Sequence, residues 1–263
     1  GGAAKKTGTE QAKSAPKAVS ATGETNESDG FDDFDWLRDL RAFGGSQART
    51  RARRLISNWM QQNDRWTMKG WQPDIMAKRL ANLVFCYDWY GSSADENFQE
   101  QLSKMVRLQA RCLALDWKRL RDCDAQVEAL CGLIIAEAAL GANDDDLDNL
   151  MEFLVQRVDG MLHEDGGHKS RMPNNHMNVM RNLIEIRNTG LASQLMQLAW
   201  LDQTIAKMGA ICRMWRHADG QFARFNGAGT LSLDIIEETL ARAGQKGKLH
   251  REEKSELFSL ARE

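Results

Sequence analysis

Residues 131–141 read CGLIIAEAALG, and this run is apolar around nearly the whole circumference of a helix. A helix of that kind is buried on all sides, so we expect it at an inner position. The stretch SQARTRARRLISNWMQQ, residues 46–62, instead carries a charged face. A helix with one charged face suits an outer position. The contrast predicts a domain with two layers of helices.

Helix-length segments continue on both sides of this run, with apolar residues three and four positions apart. Pro73 suits a first helical turn, Gly141 follows the apolar run, and the carboxylates of NDDDLDNL, residues 143–150, suit a helix N-terminus. Strand-like alternation is scarce, and short connections favour antiparallel neighbours, so the sequence predicts an all-α fold without a visible fixed repeat. The predicted helices are 46–62, 74–90, 95–118, 124–140, 145–162, 175–188 and 192–216.

The first thirty residues have a different composition. Residues 1–30 consist mainly of Gly, Ala, Ser, Thr, Lys and Glu, and Val19 is their only large aliphatic residue. Such a segment buries too little apolar surface to offset the entropy lost on ordering. We predict a disordered tail, with order beginning at FDDFDWLRDL, residues 31–40.

Bulk composition excludes several classes of protein. The 263 residues are 42% hydrophobic, which is enough for a sizeable core, and the net charge of -2 provides no global basic field for nucleic acid or an anionic membrane. No apolar run approaches the ~18 residues of a membrane span, and the N-terminus lacks an apolar signal core. The five cysteines form no CxxC pair. We expect a cytoplasmic protein with reduced cysteines, or a periplasmic one if a signal was removed.

Three polar stretches interrupt the helical pattern. EDGGHKSRMPNNH, residues 164–176, places a Gly-Gly turn and a proline between two helices, and a cleft there could hold an anion near a helix N-terminus. RHADGQFARFNGAG, residues 216–229, follows a helix rich in Met and Trp and contains an Asp-Gly turn. RWTMKGWQPD, residues 65–74, places two tryptophans in a loop.

These motifs, together with WQPDIMAKRLANLV and the segment beginning GFDDFDWLRDL, resemble the N-terminal helical region of heparinase II/III-like proteins, a polysaccharide lyase superfamily. The resemblance covers about residues 30–240 in consistent order. It implies an incomplete α/α toroid over residues 31–243, which in the family is followed by a β-sandwich. Residues 244–263 are atypical of the start of that sandwich.

The resemblance also implies site residues for β-elimination from a uronate-containing, acidic polysaccharide. Arg171 and Asn174 match positions that neutralise the substrate carboxylate, and His176 is a candidate base. Asn175 stands where the family commonly has tyrosine, and Met172 where it has serine. The implied substrate-binding residues are His168, Asn175, His217 and Trp71. No metal or other cofactor is expected, since His163 and His168 lack a recognised ligand spacing.

Other interpretations remain open for the same residues. Each histidine could also cap a helix, or lie in the core with one ring nitrogen hydrogen-bonded. A loop tryptophan such as Trp71 often packs against the edge of a core. We expect this chain to lack the sandwich and the catalytic residues that the sandwich would supply. The alternative function is therefore a non-catalytic helical module that binds a glycan or a partner protein through the same cleft. We also expect self-association through a toroid face that the sandwich would cover.

Overall fold

The computed structural model describes residues 29–67, 70–188 and 198–244. Within these ranges the chain forms helices joined by loops, without a regular strand, which confirms the predicted all-α fold. The helices are α1 (Asp29–Asp32), α2 (Trp36–Phe43), α3 (Gly45–Gln62), α4 (Pro73–Tyr90), α5 (Glu96–Asp116), α6 (Cys123–Ala139), α7 (Asp144–Met161), α8 (Pro173–Asn188), α9 (Leu198–Trp215) and α10 (Leu233–Ala243), with a 3-10 turn at Trp117–Arg119.

The predicted helix boundaries agree closely with the structure. Helices α3, α4, α6 and α7 begin and end within one residue of their predicted limits, and α8 begins earlier because Pro173 occupies its first turn. Helices α1, α2 and α10 were not predicted. Helix α10 has a Ser232 cap whose side chain accepts from the N–H of Ile235. The first part of the predicted helix 192–216 lies outside the described residues. So do nearly all of the predicted tail, 1–30, and of the C-terminal segment, 244–263.

The apolar run does form the inner helix. Helix α6 packs against α4, α5, α7 and α8, and its residues 129–136 are all buried. Gly132 lies so close to α4 that an added Cβ would be 2.5 Å from the backbone of Ala77. Helix α3 contacts α2 and α4 and keeps its charged face outside, as predicted.

Helices α4, α6, α8 and α10 form a row in which each helix packs on the next. Helices α4, α6 and α8 begin at the same end of the row, because Asp74, Asp124 and Asn175, near their respective starts, line one pocket. The α5–α6 and α7–α8 connections therefore meet at one end of the row, where Asp124 of α6 bonds to Asn175 of α8. Closure of the row into a toroid remains a prediction.

Buried ion pairs join the N-terminal helices to the last ones. Glu185 of α8 is 8% exposed, and its Oε1 atom accepts from Arg38 of α2 and from Arg242 of α10, both at 3.0 Å. Arg38 also donates from Nε to the Oδ1 atom of Asn82 in α4 at 2.5 Å. One carboxylate thus connects three helices that are distant in sequence.

Candidate functional site

The α7–α8 connection is a tight hairpin. Leu162 and His168 form an antiparallel bridge, the N–H of His163 donates to the carbonyl of Gly167 at 2.8 Å, and the side chain of Asp165 accepts from the N–H of Gly167. Gly166 has a φ of 89°, a conformation that L side chains rarely adopt. The His-Glu-Asp-Gly order therefore builds a specific turn.

The α9–α10 connection repeats this hairpin at a constant sequence offset. Arg216 bridges Phe222, the N–H of His217 donates to the carbonyl of Gln221 at 2.8 Å, and Gly220 has a φ of 83°. Asp219 accepts from the N–H of Gln221 as Asp165 does from Gly167. Helices α7 and α9 precede the two hairpins. The duplication is not evident from the sequence, because the hairpins share only His, Asp and Gly at matched positions.

A hydrogen-bonded group fixes the first hairpin to α6 and α8. The Oδ1 atom of Asp124 lies 2.9 Å from the Nε2 atom of His168, and its Oδ2 atom accepts from Asn175 at 2.6 Å. The other ring nitrogen of His168 accepts from the N–H of Ser170 at 3.1 Å. With its hydrogen on Nε2, the ring donates to Asp124 and accepts from the N–H of Ser170. His168 and Asn175 thus share Asp124 as a partner, and these polar atoms bond within the protein.

His176 is fully buried behind the hairpin. Its Nδ1 atom accepts from the N–H of His168 at 3.3 Å, and its Nε2 atom lies 2.9 Å from the carbonyl oxygen of Met208. Burial lowers the pKa of His176 to about 4, although the hydrogen bond to Met208 opposes that shift. The Trp215 ring packs edge-on against it at 4.8 Å. In this arrangement the imidazole is a neutral core group.

The other predicted site residues are dispersed. Arg171 is exposed on the loop with a φ of 53°. Asn174, in the first turn of α8, has a buried Oδ1 atom with no hydrogen-bond partner among the described residues. His217 is exposed on the second hairpin. Trp71 is 5% exposed in the core beside the start of α4, so the predicted substrate-binding role lacks an accessible ring face.

A groove of about 750 Å³ runs beside the first hairpin. Its apolar lining consists of Ile211, Met214 and Trp215 of α9 with Phe225 of the second hairpin loop. The sequence shows a helix rich in Met and Trp before residues 216–229, but its local pattern does not assign these residues to a site. The polar lining residues are His163, Glu164, Asp165, His168 and Arg171. Among the described residues, no group of three His, Cys, Asp or Glu side chains is placed to hold a metal ion.

Comparison with known proteins gives one informative similarity. Over 208 residues the chain is 26% identical to FtsZ-localized protein C of Caulobacter vibrioides (strain NA1000 / CB15N). The aligned region covers 79% of this chain and 36% of that protein, so the chain spans about a third of the relative's length. No family model matches the chain, and no solved structure is significantly similar to it.

This similarity corrects the predicted function. The lyase prediction is wrong, because the matched relative is described by localisation with FtsZ rather than by cleavage of a polysaccharide. The predicted acidic-polysaccharide partner has no support for the same reason. The non-catalytic alternative fits the relative better. Among the described residues, no helix is long and apolar enough to cross a membrane.

Proposed function

We propose that the chain is a non-catalytic, protein-binding helical module of a protein that localises with FtsZ, in the cytoplasm. The similarity to FtsZ-localized protein C over 79% of the chain carries this proposal. The hydrogen bonds of His168, Asn175 and His176 support it, because these side chains bond to other groups of the protein. A general base would need a free nitrogen or oxygen facing its substrate.

The groove beside the first hairpin is the surface that we assign to the partner. Met214 is 74% exposed and adjoins the partly buried rings of Trp215 and Phe225. Tryptophan and methionine are enriched at protein interfaces, where flexible methionine side chains adapt to a partner's shape. Polar residues of the hairpin border this apolar floor, which is the usual arrangement of a binding site.

Fluorescence microscopy in Caulobacter vibrioides cells tests the proposal directly. We expect the chain fused to one fluorophore to coincide with FtsZ carrying another, and Met214→Arg to disperse it. Leu115→Arg is the matched control, because Leu115 of α5 is 72% exposed but does not line the groove. A dispersed wild-type fusion would contradict the link with FtsZ. Equal effects of the two substitutions would contradict the assignment of the groove.

A further inference from the structure

The groove has a direction that its lining residues define. The tip of the first hairpin rests on the middle of α9, since Gly166 lies against Lys207 and Met208. The other end of the groove lies at Trp215, where the ring of Phe225 packs at 5.4 Å. From Lys207 to Trp215 the helix rises roughly 12 Å. The floor between these ends is formed by Ile211 and Met214.

The two ends differ in charge. Glu164 and Asp165 lie at the hairpin tip and line the groove, and together with the neighbouring Lys207 of α9 they leave the tip with a net negative charge. Arg171 lines it at the Phe225 end, because the carbonyl of Arg171 accepts from Asn226, the neighbour of Phe225, at 3.3 Å. An occupant with complementary charge would place a cation at the tip and an anion beside Arg171.

We infer that the groove binds a short segment of a partner protein in which two apolar residues, two positions apart, stand between a basic and an acidic residue. About four residues in extended conformation span the floor, and side chains two positions apart face the same side of such a segment. The apolar pair contacts Met214 and Trp215, and the flanking charges pair with the two ends. This inference rests on the proposed function, whose surface it shares, and it adds the chemistry of the occupant.

Peptide binding to the full chain, followed by fluorescence polarisation, tests the occupant. The probe is a fluorescein-labelled peptide of sequence Gly-Lys-Leu-Ser-Phe-Glu-Gly. We expect it to bind at least about tenfold more tightly than the same peptide with two serines at the apolar positions. We also expect about a tenfold loss when its lysine is replaced by glutamate.

A charge exchange makes the test specific to the hairpin tip. The protein with Glu164→Lys should lose the lysine peptide and gain the glutamate peptide, while Asp165 keeps its hydrogen bond from the N–H of Gly167. Asp219→Lys is the control, since Asp219 lies in the turn of the second hairpin but does not line the groove. It should leave both affinities unchanged.

The outcomes separate this inference from the proposed function. Failure of the lysine peptide to bind, or equal binding of all three peptides, would overturn the stated occupant. So would a charge exchange that fails to restore binding of the glutamate peptide. If the fusion protein still coincides with FtsZ in cells, such a failure would leave the proposed function standing. A fusion that is dispersed in cells, together with specific binding of the lysine peptide, would contradict the link with FtsZ and support the stated occupant of the groove.

Discussion

Gly132 shows how one missing side chain sets a helix contact. An added Cβ would lie 2.5 Å from the Cα and carbonyl oxygen of Ala77, and these backbone atoms cannot rotate away. We predict that Gly132→Ala destabilises the protein by about 1 to 2 kcal/mol, because the overpacking exceeds the gain in helix propensity. Urea denaturation measures the change.

Gly160 of α7 provides the control for that prediction. An added Cβ there meets no atom within 4 Å, so Gly160→Ala should gain about 0.5 kcal/mol from lower backbone entropy in the unfolded chain. Equal effects at Gly132 and Gly160 would show that the α4–α6 contact is looser than the structure indicates.

His176 should make stability depend on pH. Its pKa of about 4 lies below the ordinary value of 6.5, so the unfolded chain binds the proton more readily. The stability that His176 contributes in its neutral form is fully present above pH 6.5 and is lost as the pH falls toward 4. We expect a loss of about 2 kcal/mol between pH 7 and pH 5, measured by urea denaturation at each pH.

Substitution isolates this effect from other titrating groups. His176→Gln should flatten the pH dependence between pH 7 and pH 5, although it also lowers stability at pH 7. His163→Gln is the control, since His163 is exposed on the hairpin and its replacement should leave the dependence unchanged. A wild-type stability that is constant over this range would contradict the buried neutral imidazole.

Asp124 connects separate elements of the fold. It holds the hairpin through His168 and the start of α8 through Asn175, so its loss leaves two buried or half-buried groups unpaired. We predict that Asp124→Ala destabilises the protein by about 2 kcal/mol and that amide hydrogens of residues 162–171 exchange faster. Mass spectrometry of deuterium uptake measures the exchange.

The second hairpin is an internal control for this experiment. Residues 216–225 form the same turn but make no hydrogen bond to Asp124, so their exchange should stay unchanged. Faster exchange in both hairpins would mean that the substitution loosens the whole end of the molecule. Unchanged exchange in the first hairpin would mean that Asp124 does not hold it.

Across the whole molecule, Glu185 holds helices α2, α8 and α10 together. Burial alone would raise its pKa, but the hydrogen bonds and charges of Arg242 and Arg38 outweigh burial and lower it. Its contribution is therefore present above the ordinary pKa of 4.5 and is lost at more acidic pH. We predict that Glu185→Gln costs about 2 to 3 kcal/mol at pH 7, measured by urea denaturation.

Glu238 is the control for the whole-molecule prediction. It pairs with Arg242 at 3.6 Å, but its side chain is 68% exposed. Glu238→Gln should change stability by less than about 0.5 kcal/mol, because water screens an exposed pair. Similar losses at Glu185 and Glu238 would contradict the view that burial makes the Glu185 pairs strong.

The sequence by itself determined the helical class, most of the helix boundaries and the inner position of α6. These features follow from the local spacing of apolar residues and from residues such as Pro73, which favours the start of a helix at its own position. The short helix α10 was missed although its Ser232 cap and apolar spacing were present in the sequence. The sequence also drew attention to the polar stretch at residues 164–176, which joins α7 to α8 and includes the first turn of α8.

Only the tertiary structure decided what those polar residues do. Asp124 lies far from His168 and Asn175 along the chain. No local sequence pattern could therefore show that both side chains form hydrogen bonds with it. The hairpins likewise resemble each other in backbone conformation more than in residue type. The groove unites residues of α9 with two loops, and its chemistry arises from contacts that form only when the chain is folded.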